Sequence, residues 1–265
     1  MYNYMKHIFF AIPNYSGSTL IHNLVATSEN VATLRKDAVV TNDFIEGNGI
    51  GGGGYKYKHI SQLYTEELKT EILLPESHDW NIIKNNWNKE WFKKENASVY
   101  IQKTPMDIFR VKQMQEEFEN LKWIIAVKEP YAYIESLFRK YMMLKLSKPY
   151  DNLDKLCAHV LLVLKTQLEN KEFLGDRGYC TTLENFILNK EQHVEGIKNF
   201  TDNEVNIDLK KQLWVKGRTS GGITNTNEQK IQNLIGFFPD IISKINQYFI
   251  PNEDLLKTWG FSIRT

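Results

Sequence analysis

Ile8-Phe-Phe-Ala-Ile12 is an uninterrupted apolar run. A short run without alternation predicts a strand covered on both faces, as in a parallel sheet. The pattern then changes abruptly. Pro13 to Thr19 is small and polar, and Leu20, Leu24 and Val25 follow at helical spacing. The chain therefore reads as strand, tight turn and helix, the helix covering roughly 19–28.

The same change of period recurs downstream. Trp123-Ile-Ile-Ala-Val127 is a second buried strand; it ends in Lys128-Glu129-Pro130, with a helix from Tyr131 to about Lys145. Ala97 to Ile101 is β-branched and aromatic and runs into Gln102-Lys103-Thr104-Pro105. Pro105 suits the first turn of a helix reaching Phe118, with Thr104 as its cap. Asn30 to Leu34 and Gly178 to Leu183 suit shorter strands. Helical spacing also marks 59–74, 79–94, 151–170, 184–188, 226–238 and 240–249, while 205–213 reads as helix or irregular. Trp80, Ile83, Trp87 and Trp91 form one stripe of the 79–94 helix. Its first reading is a core-facing side and its second an aromatic wall around a substrate.

Alternating strands and helices predict an α/β fold in three layers, a central parallel sheet flanked by helices. No repeat and no Pro-, Gly- or Ser-rich linker divides the chain, so 1–265 reads as one domain. Gly47, Gly49 and Gly52 match G-x-G-x-x-G, but no strand feeds them and no helix opens from them. Residues 47–54 read instead as a flexible loop or lid, and Lys216-Gly217-Arg218 opens a second, basic Gly loop over 216–222.

A helix opening at such a turn points free N–H groups and its positive dipole end beyond the strand, which makes an anion site. Gly17 lets backbone approach a ligand, and Ser16, Ser18 and Thr19 add hydroxyls. The plain alternative is helix capping by Ser16 or Ser18. The turn lacks the first Gly and the Lys of a Walker A loop. A nucleotide with a single 5′-phosphate or phosphosulfate thus suits it better than a triphosphate.

Composition adds limits. The 265 residues are 42% hydrophobic and 25% charged with a formal net charge of +1, so any anion site is local. That balance argues against nucleic-acid or acidic-membrane partners. Two cysteines make no disulfide framework, and the expected setting is reducing and cytoplasmic. No run is long enough to span a membrane.

Taken together, these segments resemble the sulfotransferases that use 3′-phosphoadenosine 5′-phosphosulfate (PAPS), especially bacterial and phage members. Asn14-Tyr15-Ser16-Gly17-Ser18-Thr19 is similar to their loop around the 5′-phosphosulfate. Lys128-Glu129-Pro130 followed by Ser136 is similar to the motif that holds the 3′-phosphate. Lys216-Gly217-Arg218 resembles the basic loop that closes over the nucleotide, Gln102-Lys103-Thr104-Pro105 the Glu-Lys-Ser/Thr-Pro segment, and Glu46-Gly47 an acidic position after the first helix. The resemblance implies a P-loop-like sulfotransferase architecture and a PAPS donor leaving as 3′-phosphoadenosine 5′-phosphate. It further implies a small-molecule or glycan acceptor, and no metal. It assigns Tyr15 to Thr19, Lys128, Ser136, Lys216, Gly217 and Arg218 to the nucleotide. Lys103 is the candidate for the transferring sulfuryl group. Glu46, then His59, is the candidate general base. Three departures stand out. Tyr15 replaces a basic residue, Gln102 an acid, and Lys128 an arginine, which loses the bidentate fork. A P-loop nucleotide kinase and an inactive nucleotide-binding protein of the same fold are the alternatives. Acceptor identity and oligomeric state have no signal in the sequence.

Overall fold

A computed structural model describes residues 6–34, 63–75, 79–91, 93–143, 152–211, 214–215, 218–219 and 224–265. The loop at 47–54, Glu46, His59, Lys216 and Gly217 lie outside the described residues.

The sheet is built from β1 (Lys6–Ala11), β2 (Val31–Thr33), β3 (Val99–Lys103), β4 (Leu121–Val127) and β5 (Gly178–Thr182). Its order is β2-β3-β1-β4-β5 and every pairing is parallel. Phe10 is level with Lys103 and Ile124, so the turn after β1, the end of β3 and the end of β4 share one edge. β1 is followed by a connection toward β2, whereas β4 leads toward β5 on the opposite side. The boundary between β1 and β4 is thus a topological switch point, where open α/β sheets bind ligands.

The apolar run of β1 divides its side chains by strand alternation. Ile8, Phe10 and Ile12 pack with Ile124 and Ala126 beneath α1 (Ser18–Val25). Leu183 and Phe186 of α2 (Leu183–Leu188) and Ile197 of α3 (Lys190–Phe200) belong to this layer. Phe9, Ala11, Trp123 and Ile125 face the larger layer. That layer holds α4 (Glu66–Ile72), α5 (Trp80–Trp91), α6 (Val111–Glu117), α7 (Pro130–Met143) and α8 (Leu153–Leu174), with α9 (Asn227–Phe237), α10 (Ile241–Phe249) and α11 (Glu253–Thr258). The helices α4 to α8 precede α2 in the chain. Each large apolar side chain buried here contributes roughly 1.5–3 kcal/mol.

The tryptophan stripe takes its first reading. Trp87 and Trp91 are fully buried and pack around Phe9 and Phe118. The continuous helix expected from Pro105 to Phe118 is instead a 3-10 turn, Pro105–Ile108, followed by α6. Arg110, at φ −103° and ψ 9°, interrupts it, pinned by a fully buried ion pair with Asp107. The α3 and α11 helices were not legible as separate elements, and residues 204–208 are irregular. Arg218 lies in a two-residue strand paired with Trp214–Val215 rather than in an open loop.

Candidate anion-binding site

Tyr15 and Gly17 both take positive φ, 61° and 87°. A left-handed tyrosine costs on the order of 1–2 kcal/mol, so the turn is held by its surroundings. Ser16 is fully buried; its N–H donates to the Pro13 carbonyl at 3.3 Å and its hydroxyl to the Asn14 carbonyl at 3.4 Å. Gly17 is the N-cap of α1, without a side-chain cap bond, so the capping alternative for Ser16 and Ser18 does not hold. The first-turn amides of α1 therefore remain available to a ligand. A Cβ on Gly17 would run into Cδ1 of Leu183, and its φ is unsuited to an L side chain. Ser18 is buried and Thr19 half-buried at the start of α1.

Across the switch point sits Lys128, 1% exposed. Its ammonium donates to Ser136 Oγ at 2.7 Å, to the Ala132 carbonyl at 3.0 Å and to the Tyr15 carbonyl at 3.5 Å. Ser136 is on α7, two turns from Lys128, so the eight-residue offset brings ammonium and hydroxyl together. Burial, reinforced by the charge of nearby Lys230, holds the Lys128 ammonium well below the usual lysine range, while Glu184 and Glu135 oppose that shift. A desolvated cation beside a helix N-terminus suits a bound anion.

Neighbouring residues hold this arrangement in place. Glu129 Oε2 accepts from the Ala132 N–H at 2.6 Å, capping α7, and Oε1 accepts from Arg264 Nε at 3.1 Å. Burial raises the Glu129 carboxyl above its ordinary value, with the Arg264 charge acting the other way. The Glu129 N–H donates to Glu184 Oε1 at 3.1 Å, and Asn227 of α9 donates to the same oxygen. Burial also raises the Tyr15 phenol.

Lys103 is half-buried at the end of β3, on the same edge as the turn. Beside it, Thr104 is buried and its hydroxyl caps nothing. Gln102 is fully buried and donates from Nε2 to Asp107 Oδ2 at 2.7 Å. That contact explains why an amide stands at this position: an acid would face Asp107 in the interior. His22 packs edge-on against Phe10, as a helix-packing histidine. Among the described residues no cluster of three His, Cys, Asp or Glu side chains is placed to hold a metal ion. Nor is any described helix long and apolar enough to cross a membrane.

The structure thus brings together Tyr15, Ser16, Gly17, Ser18, Thr19, Lys128 and Ser136, with Lys103 on the same edge. Glu184, Asn227, Lys230 and Arg264 were missed. Thr182, whose hydroxyl accepts from the Asn185 N–H at 3.1 Å, gave a capping signal for the helix carrying Glu184. Lys230 and Arg264 reach the site through tertiary packing and carry no local signal.

Three solved structures share this architecture. A sulfotransferase domain from the curacin biosynthetic pathway aligns with TM-score 0.53 and 18% identity, over 83% of this chain and 81% of its own. A sulfotransferase from Alicyclobacillus acidocaldarius aligns with TM-score 0.51 and 11% identity, over 91% and 94%. One from Mycobacterium avium aligns with TM-score 0.53 and 11% identity, over 98% and 78%. The chain has the sulfotransferase fold. No protein-family model matches it, and no curated protein matches it by sequence.

Proposed function

We propose that this chain is a sulfotransferase that takes a sulfuryl group from PAPS and passes it to a hydroxyl or amine of a small-molecule or glycan acceptor in the cytoplasm. The observation that carries the reading is the Lys128 ammonium, held by Ser136 Oγ at 2.7 Å and reaching the Tyr15 carbonyl of the turn at 3.5 Å. A buried cation, a left-handed glycine and an uncapped helix start converge on one switch point, which fits an anionic nucleotide.

In this reading the donor supplies an electrophilic sulfuryl group on a phosphate leaving group. The Ser16 to Thr19 amides and hydroxyls hold its 5′ end, and Lys128 and Ser136, with Arg218, hold its 3′-phosphate. Preorganised N–H groups and a lysine stabilise developing charge without reorganising. Lys103 faces the transferring group, and Glu46 or His59 takes the acceptor proton. Tyr15 favours a second reading, a protein that keeps the nucleotide and has lost turnover, since no cation stands at that turn position.

Calorimetric titration with 3′-phosphoadenosine 5′-phosphate, with and without Mg²⁺, beside ATP and NAD, tests the proposal. The expected result is metal-independent binding of the bisphosphate, weakened roughly tenfold to a hundredfold in Ser136→Ala and in Lys128→Ala. Binding of ATP only with Mg²⁺, and none of the bisphosphate, would replace the sulfotransferase with a phosphotransferase. Binding without transfer to any of a panel of phenols, sugars and amines would favour the second reading.

A further inference from the structure

Beyond Ser136 and two backbone carbonyls, Lys128 has a second lysine nearby and, among the described residues, no carboxylate ion-paired to it. Lys230 of α9 sits one turn beyond Asn227, whose side chain shares Glu184 Oε1 with the N–H of Glu129, the neighbour of Lys128, and its positive charge is felt at Lys128. Glu184 and Glu135 are the carboxylates that face Lys128, and neither forms an ion pair with it. Glu184 is committed elsewhere through Oε1, to the Glu129 N–H and to Asn227. Glu135 pairs with Arg139.

The approach of Lys230 is built in. Asn227, one turn earlier on the same helix face, is buried and grips Glu184. Glu228 receives Arg264 Nη1 and Nη2 at 3.0 and 2.8 Å, and Arg264 Nε reaches Glu129, the neighbour of Lys128. The first turn of α9 is therefore tied at two points to the segment that carries Lys128. Two neighbouring ammoniums repel each other while both are charged, which disfavours the free protein. A dianion between them removes the conflict and satisfies both.

We propose that Lys230 is a further ligand of the anion site, so that a phosphate monoester sits between the ammoniums of Lys128 and Lys230 with Ser136 Oγ as a third contact. Within the function proposed above, on which this assignment of the ligand rests, that group is the nucleotide 3′-phosphate. Lys230 adds a cation from α9, an element outside every motif that the sequence offered.

The test compares wild type, Lys230→Met and Lys230→Arg. Calorimetry is run with 3′-phosphoadenosine 5′-phosphate and with adenosine 5′-phosphate, which lacks the 3′ group. The expected result is that Lys230→Met weakens the bisphosphate roughly tenfold to a hundredfold and leaves the monophosphate within about twofold. Lys230→Arg should restore most of the loss. Without ligand, Lys230→Met should melt no lower than wild type, since it removes a like-charge contact; a purely structural lysine would melt lower. Equal weakening of both nucleotides, or unchanged bisphosphate affinity, would overturn the assignment. If the wild type binds neither nucleotide, the sulfotransferase reading falls, and inorganic phosphate then decides the site alone. A phosphate-induced rise in Tm that Lys230→Met abolishes upholds the site, and an equal rise in both proteins, or none in either, overturns it.

Discussion

His159 of α8 is a fully buried imidazole whose tautomer its partners fix. Nδ1 accepts from the Tyr64 N–H at 2.6 Å, so Nε2 carries the proton and meets Tyr133 Oη at 2.9 Å. Burial lowers this imidazole to about 3. His7, near the opposite end of β1, is lowered to about 4, again chiefly by burial. Both values lie below the unfolded 6.5, so the unfolded chain binds more protons in between. The stability that these neutral rings contribute is complete above pH 6.5 and declines as pH falls toward the folded values. Each histidine should cost about 2 kcal/mol between pH 7 and pH 5. Urea denaturation at the two pH values measures it. The variant His159→Gln should be less stable at pH 7 yet lose less on acidification; an undiminished pH loss would place the effect elsewhere.

The turn between β1 and α1 is an element in which conformation and packing are jointly constrained. Gly17→Ala meets two obstacles, a φ of 87° and the Leu183 side chain. The first costs on the order of 1 kcal/mol and the clash a further 1–3 kcal/mol. Leu183→Ala should relieve the second alone, so the double variant Gly17→Ala/Leu183→Ala should be more stable than the sum of the singles predicts. Chemical denaturation of the four proteins reads this coupling, and strict additivity would show that the clash is absorbed by rotation of Leu183. The elements themselves were legible wherever one physical signal dominated. Ile8 to Ile12 and Trp123 to Val127 had apolar runs that fit a doubly covered strand, and the Trp87–Trp91 stripe had helical spacing. The break at Arg110 was not legible, because a buried pair with Asp107 overrides the helical pattern. The Lys128–Ser136 pair was visible as an offset along one strand-to-helix unit. Glu184, Asn227 and Lys230 meet it through packing of α2 and α9 around the sheet edge, which no single segment encodes.

At the scale of the whole molecule, Arg264 fastens a late segment to the sheet edge. Its N–H donates to Tyr131 Oη at 3.1 Å, and its carbonyl accepts from Asn246 Nδ2 at 2.7 Å. Its guanidinium spans Glu129 and Glu228, of which Glu228 is largely exposed and Glu129 is 8% exposed. Removing the guanidinium leaves a buried carboxylate without its cation, whereas removing Glu228 loses a contact that water replaces. Arg264→Ala should therefore cost roughly 1–3 kcal/mol, and Glu228→Ala under about 1 kcal/mol, by urea denaturation. Equal costs would locate the clamp at the surface. The strand order has a further consequence, for the route by which the chain folds. β1 is the middle strand, and its partners come much later: Lys6 pairs with Val99 and His7 with Leu121. On a ribosome, α1 can cover the Ile8, Phe10 and Ile12 face soon after β1 emerges, but both edges and the Phe9 and Ala11 face wait for segments made long afterwards. Closing such distant pairings is slow, and an apolar strand left waiting is open to aggregation. Nascent chains halted before Leu121 should thus depend on chaperones, and those extended past Val127 should begin to resist protease.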